Sequence, residues 1–203
     1  EFRRVLFRSA MIRPVSMQLD PLEPRRLLAT FTVSNALDGG AGSLRQAILD
    51  AETSPGADLV QFAIPGVGPH VISLASPLPT LTQPVTIDGY TQPGSSANTL
   101  ADAALGSNAV IAIEIDGTLA GDTPLVVQQI SGSGAVATVR GIAIYAGAGH
   151  DAVRVLLTSG RAVLEGNFIG LTAAGAPAGN TAAGVRVLGN LNTIGGSTAA
   201  TRN

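Results

Sequence analysis

The clearest indication of the fold is in residues 136–166, VATVRGIAIYAGAGHDAVRVLLTSGRAVLEG, where short apolar runs recur at a fixed interval. Apolar pairs begin at Ile142, Val153 and Leu164, eleven residues apart each time. Runs this short cannot form helices of ordinary length, and β-branched residues bounded by Gly and Ser predict strands. The stretch therefore predicts strands separated by tight turns.

A longer period lies on top of the short one. An aliphatic residue, a charged residue and glycine follow one another in four places: Ile87-Asp88-Gly89, Ile115-Asp116-Gly117, Val139-Arg140-Gly141 and Leu164-Glu165-Gly166. The glycines are separated by 28, 24 and 25 residues. An interval in the twenties that holds two or three strands is typical of a solenoid, here one coil of a parallel β-helix. We therefore predict an all-β, single-stranded parallel β-helix.

The composition agrees with tightly stacked coils and excludes several functions. The chain has 203 residues, 45% of them hydrophobic, with 3% aromatics, 25 glycines and a net charge of -2. Such a chain can bury a sizeable core. All of its basic residues are Arg, and no basic patch is interleaved with aromatics, so no nucleic-acid partner is expected. The absence of Cys excludes disulfides and thiolate metal sites.

The N-terminal region divides into two parts before the predicted β-helix. Residues 1–9 look like a translated sequencing-library adapter or an expression artefact and are excluded from the fold. Residues 10–30 form a flexible segment with neither a conventional signal peptide nor a run long enough to span a bilayer. Residues 31–203 are predicted to be the N-terminal portion of a β-helix that is truncated at its C-terminus, because no polar capping segment precedes Asn203.

One helix is predicted, over Ser43 to Ala51. Ser43 and Gln46 have the spacing of a capping box, and Pro55-Gly56 stops the helix. Apolar residues follow at helical spacing: Leu44, Ala47, Ile48 and Ala51. Because an open β-helix end exposes strand edges and core, we expect this helix to close the N-terminal end, with Leu44 and Ile48 buried.

The strand pattern also predicts which side chains face the core. Between residues 109 and 116, alternation puts isoleucines on one face and Ala112, Glu114 and Asp116 on the other. The predicted inward positions are Ile87, Ile111, Ile113, Ile115, Ile142, Ile144, Val153, Val155, Leu164, Val185 and Val187. Two stretches of small residues, 95–108 and 173–183, are predicted to leave the coils as loops.

Several motifs resemble one group of bacterial proteins. Residues 22–28, LEPRRLL, match the LEPR-XLL motif, and residues 42–47, GSLRQA, are similar to the CSLREA motif apart from Gly42 and Gln46. The chain thus resembles the N-terminal part of bacterial secreted or surface β-helix proteins that carry these motifs. The resemblance implies a right-handed solenoid, which the usual chirality of parallel crossovers also favours. It further implies an extracellular or cell-surface location.

Few residues are candidates for chemistry. His150-Asp151 suggests a general base and is similar to the Gly-His element of pectin-hydrolysing β-helix enzymes. The Asp cluster and basic motif that accompany this element in those enzymes are not found, so a loop histidine at a turn is the preferred interpretation. Asn167 and Asn192 are interpreted as turn residues. No nucleotide-binding fingerprint is found, and no cofactor is expected.

If the four triplets mark successive coils, their charged residues form one outward column: Asp88, Asp116, Arg140 and Glu165. In that column Arg140 would neutralise Asp116 and Glu165 and leave Asp88 the least paired. An exposed ion-pair ladder is the preferred interpretation. Asp88 and Asp116 are the candidates for an acid/base pair or a Ca²⁺ site if the column is functional instead.

We expect a non-catalytic structural or adhesive domain of a large secreted or cell-surface protein, as the resemblance implies. The alternative is a polysaccharide lyase or glycoside hydrolase that acts along a β-helix groove, because the fold alone does not choose between these classes. The alternative would use Asp88, Asp116, His150 and Asp151 as catalytic residues. An extracellular polysaccharide or another cell-surface ligand is the expected partner, and the sequence does not indicate an oligomeric state.

Overall fold

The computed structural model describes residues 28–100, 106–128, 136–156 and 161–203. Over these residues the chain winds into a β-solenoid of about five turns with parallel sheets and one α-helix. The predicted parallel β-helix is confirmed. The adapter-like residues 1–9 and nearly all of the LEPRRLL motif lie outside the described residues.

The described strands form three parallel sheets. The first contains β1 Thr30–Val33, β2 Asp58–Phe62, β4 Val85–Asp88, β7 Val136–Arg140, β10 Arg161–Glu165 and β13 Thr193–Ile194, and this is also their order across the sheet. The second sheet contains β3 His70–Ser73, β5 Ile113–Gly117, β8 Ala143–Ala146 and β11 Phe168–Ile169. The third contains β6 Leu125–Val127, β9 Val153–Val155 and β12 Val185–Val187.

The eleven-residue interval marks the passage from one sheet to the next. Ile142 immediately precedes β8 of the second sheet, Val153 opens β9 of the third and Leu164 lies in β10 of the first, so the interval leads from one sheet to the next. Each is at most 1% exposed. The short period therefore describes one coil, and its apolar residues fill the core.

Three of the four triplets lie at equivalent positions on neighbouring strands of one sheet, as the longer period predicted. Ile87, Val139 and Leu164 pair in register in the first sheet. Ile115 instead lies in the second sheet, between Ile72 and Ile144. The placement of this triplet in the same column was wrong, because the chain leaves the coil after β4 and the 28-residue interval does not measure one turn.

Most predicted inward positions are in the core. Nine of the eleven are buried: Ile87, Ile111, Ile113, Ile115, Ile142, Ile144, Val153, Val155 and Leu164. Ile111 is 4% exposed but lies apart from the continuous core cluster. Val185 is partly buried against the core, whereas Val187 is 41% exposed. The prediction was wrong for Val187 because no described strand covers the outer edge of β12.

The α-helix α1, Leu44–Thr53, has Ser43 as its N-cap. The Ser43 hydroxyl accepts a hydrogen bond from the Gln46 backbone N–H, and Leu44 and Ile48 are fully buried. The reciprocal half of the capping box is not formed, because the Gln46 side chain donates to Asp50 instead. The predicted helix and its buried face are confirmed. None of the helices among the described residues is long and apolar enough to cross a membrane.

Helix α1 binds the open edge of the first complete coil. Arg45 donates to the backbone carbonyls of Pro77, at 2.6 Å, and Ser76, at 2.8 Å. At the other end of the helix, the Glu52 carboxylate accepts from the Thr82 backbone N–H at 2.9 Å. These side chains occupy edge groups that would otherwise be available for pairing with another chain. The predicted capping position at the N-terminal end is thus confirmed.

The glycine of the repeated triplet is required by close contact between coils. Gly141 has a φ of +69°, and a Cβ built there would lie 2.7 Å from the Tyr90 ring. The Tyr90 hydroxyl continues past Gly141 and donates to the Gly166 carbonyl at 2.6 Å. Tyr90 thereby connects three successive coils. At position 141 only glycine leaves room for its ring.

We predict that Gly141→Ala lowers the free energy of unfolding by about 1–3 kcal/mol more than Gly121→Ala does. Gly121 is the matched control, because it has a φ of +75° but no heavy atom within 4 Å of a built Cβ. Both variants incur the left-handed backbone penalty, and only the first displaces Tyr90. Urea denaturation of both variants measures the difference, and equal losses would contradict the contact.

Candidate functional site

The outward column of the first sheet is an ion-pair ladder in which one arginine lies between two carboxylates. Asp88, Arg140 and Glu165 pair in register on neighbouring strands. Arg140 contacts Asp88 at 2.7 Å and Glu165 at 4.0 Å. Asp88 also accepts from the Tyr90 backbone N–H and is 6% exposed. The expectation that Asp88 is the least paired carboxylate was wrong, because Arg140 binds it most closely.

Asp116 is not part of this column. It lies on β5 in the second sheet, where it accepts hydrogen bonds from the Thr118 backbone N–H and the Thr118 hydroxyl at 2.9 and 2.6 Å. Asp88 and Asp116 therefore do not form the predicted pair, since they belong to different sheets. Among the described residues, no three His, Cys, Asp or Glu side chains are grouped to hold a metal ion.

A second polar group, which the sequence analysis did not identify, lies on the outer side of the second sheet. The Tyr145 hydroxyl donates to Glu114 at 2.9 Å, and the Ala173 backbone N–H donates to the other Glu114 oxygen at 2.7 Å. Burial and the hydrogen bond to Glu114 raise the pKa of Tyr145. Strand alternation placed Glu114 outward, but it could not show that the segment at Ala173 covers this carboxylate.

At the candidate His150-Asp151 site, two arginines bind the buried carboxylate of Asp151. Asp151 is 1% exposed and binds Arg186 at 2.7 Å and Arg154 at 3.3 Å. The Ala183 backbone N–H also donates to Asp151. The hydrogen bond from Arg186 is the main cause that lowers the pKa of Asp151 to about 2. Asp151 thus joins β9 to β12 through their in-register arginines.

His150 and Asp151 do not act as a pair. The His150 Nδ1 atom lies 3.5 Å from Asp122, a carboxylate of the preceding coil that is 57% exposed at its side chain. Arg154 contacts the same Asp122 oxygen at 3.5 Å. The hydrogen bond from the Thr123 backbone N–H is the main cause that lowers the pKa of Asp122. His150 is therefore a turn residue beside an exposed carboxylate, as the preferred interpretation expected.

The asparagines bind the backbone of neighbouring coils. Asn167, 2% exposed, accepts from the Ile142 N–H and donates to the Val139 carbonyl. Asn203 repeats both contacts one coil further along, with the Asn167 N–H and the Leu164 carbonyl. Asn192 accepts from the Ala162 N–H at 2.8 Å. The turn interpretation is confirmed for Asn167 and Asn192, whereas the role of Asn203 was not anticipated.

Comparison with known proteins found no matching family model, curated protein or solved structure. The chemistry of these groups therefore has to be judged from their geometry. A general base is most effective when its pKa is near the working pH. Asp151, with a pKa of about 2 and two guanidinium partners, is suited to joining coils rather than to accepting protons.

We predict that Asp151 contributes to stability in a pH-dependent way. Its pKa is lower in the folded chain than the ordinary value near 3.9, so its stabilising contribution is present above about pH 4 and is lost as the pH falls towards about 2. Asp151→Asn should lower the free energy of unfolding at neutral pH by about 1–3 kcal/mol. The variant should also lose stability less steeply than the parent chain between about pH 4 and about pH 2.

Asp122→Asn is the control from the same cluster, because Asp122 is far more exposed. It should change the pH dependence less than Asp151→Asn does. Urea denaturation across the acidic range measures both effects. Parallel pH profiles for the parent chain and Asp151→Asn would contradict the assignment.

Proposed function

We propose that this chain is a non-catalytic structural or adhesive domain of a large bacterial secreted or cell-surface protein. One observation carries the proposal: the carboxylates that an enzyme would need already bind groups of the chain itself. Asp88 binds Arg140, Asp116 binds Thr118, and Asp151 binds Arg154 and Arg186. Bacterial origin and surface location rest on the LEPR-XLL and CSLREA resemblance.

The contacts between outward side chains join successive coils, as a stable solenoid requires. In repeat proteins each coil contacts only its neighbours, so stability depends on the interfaces between coils. The outward ion pairs and the asparagine contacts both join successive coils here. These contacts stiffen the solenoid and fix the register of its coils. Both effects support the proposal of a rod that presents loops.

A polysaccharide lyase or glycoside hydrolase has one observation in its favour, the proximity of Glu114 and Tyr145. A carboxylate and a phenol in contact can exchange a proton. Both oxygens of Glu114 are nevertheless occupied, by Tyr145 and by the Ala173 N–H, and Glu114 is 7% exposed. A sugar chain could reach Glu114 only after the segment at Ala173 moved away, which favours the non-catalytic function.

The proposal is tested by incubating the purified chain with polygalacturonate, alginate, xylan and soluble cellulose derivatives. We expect no new reducing ends and no unsaturated uronate product above the level of a Glu114→Gln variant. Co-sedimentation with insoluble polysaccharides and bacterial cell envelopes measures adhesion in parallel. Retention on one of these materials without cleavage is the expected result.

Cleavage that Glu114→Gln or Asp151→Asn abolishes, in a variant that remains folded, would contradict the proposal. Asp50→Asn serves as the control, because Asp50 is an exposed carboxylate on helix α1 and is not among the candidate catalytic residues. Its loss should leave any true activity at Glu114 intact.

A further inference from the structure

Two excursions that are distant in sequence line one cleft. The first leaves the coil after β4 and is closed by paired backbone hydrogen bonds between Ser96 and Val110, at 3.0 and 2.9 Å. The second is a small hairpin after β11, closed by a bridge between Leu171 and Pro177. Between them lies a cavity of about 820 Å³, a size that is usual for small-molecule sites.

The floor of the cleft presents an aromatic side chain that the core does not use. Phe168 pairs with Ala143 on the outer side of the second sheet and is half-buried. Its neighbour Ile169 packs against the core, whereas Phe168 does not belong to the core cluster. Leu171 of the hairpin also lines the cleft. A half-buried ring that lines a cleft offers apolar surface to a ligand.

The walls add hydrogen-bond donors without negative charge. Asn98 and Ser107 line the cleft, and neither the Asn98 amide nitrogen nor the Ser107 hydroxyl donates to an acceptor among the described residues. Asn98 is only 5% exposed, and its oxygen is held by the backbone N–H groups of Leu100 and Asn108. The amide nitrogen is thereby fixed in orientation.

Among the described lining residues, Arg202 is the one charged side chain, and its guanidinium donates to the Leu100 carbonyl. This contact ties the first excursion to the end of the described coils. None of the described lining residues has a carboxylate side chain, so they offer no charged ligand to a cation. The guanidinium keeps its positive charge in this contact, whereas the donors that Asn98 and Ser107 add to the lining are uncharged.

We propose that this cleft binds a neutral saccharide, whose ring stacks on Phe168 while its hydroxyl oxygens accept from Asn98 and Ser107. Sugar rings combine an apolar face with a rim of hydroxyls, and this is the combination that the cleft presents. The inference rests on the proposed adhesive function and names its ligand class and site.

The test uses NMR titration of the full chain with cellotetraose, maltotetraose and chitotetraose, and with tetragalacturonate as the anionic counterpart of equal length. We expect at least one neutral tetrasaccharide to bind more tightly than tetragalacturonate. Ala174→Trp, which places a large side chain on the cleft wall at an exposed position, should weaken that binding at least tenfold. Phe168→Ala should weaken it as well.

Ala176→Trp is the matched control, since Ala176 is exposed on the same hairpin but does not line the cleft. It should leave the affinity within about twofold of the parent chain, and thermal melting of each variant confirms that it is folded. Equal weakening by both tryptophan variants would overturn the assignment. So would preferential binding of tetragalacturonate, or binding of no neutral tetrasaccharide.

Two further outcomes separate this inference from the proposed function. Retention of the chain on an insoluble polysaccharide that Ala174→Trp does not reduce would overturn the cleft as the site and leave the adhesive function standing. A concentration-dependent dimer in sedimentation velocity that Ala174→Trp dissociates would assign the cleft to a second copy of the chain and overturn the saccharide proposal.

Discussion

The short distance between coils determines which outward side chains of this solenoid can lie next to one another. Neighbouring parallel strands lie about 4.8 Å apart, so each side chain has another side chain directly above or below it. Charges in such a column must alternate or be neutralised. Arg140 follows Asp88 for this reason, and the stacked Arg154 and Arg186 share the buried Asp151.

This constraint explains why several Asp, Glu, His and Tyr side chains on the coils bind groups of the chain itself. Asp88 and Tyr145 each contact a side chain on a neighbouring coil. Tyr90 illustrates the principle, since its ring fills the space above Gly141 and its hydroxyl binds the Gly166 carbonyl. A polar residue on a solenoid therefore indicates a catalytic or binding site only where its polar atoms are accessible and have no partner within the chain.

The fold could be predicted from the sequence because its signals are local. The eleven-residue interval and the amphipathic helix after Ser43 both depend on residues close together in the chain. The sites could not be predicted in the same way. Asp116 was assigned to the wrong sheet because the excursion after β4 disturbs the residue count between coils. The burial of Glu114 depends on Ala173, 59 residues away, and no local pattern reports that contact.

The two ends of the described stack differ in their chemistry. Helix α1 occupies the edge of the first complete coil with Arg45 and Glu52, whereas the last described coils border the cleft between the excursions. Such an asymmetry keeps the capped end from pairing with other chains and leaves a recess at the other end.

Ion pairs such as Asp151–Arg186 bind one coil to the next. A double-mutant cycle between Asp151→Asn and Arg186→Gln, followed by urea denaturation at neutral pH, measures this coupling. We expect a coupling energy of about 0.5–3 kcal/mol between the two residues, as for other groups in contact. Additive losses, with a coupling below about 0.3 kcal/mol, would contradict it.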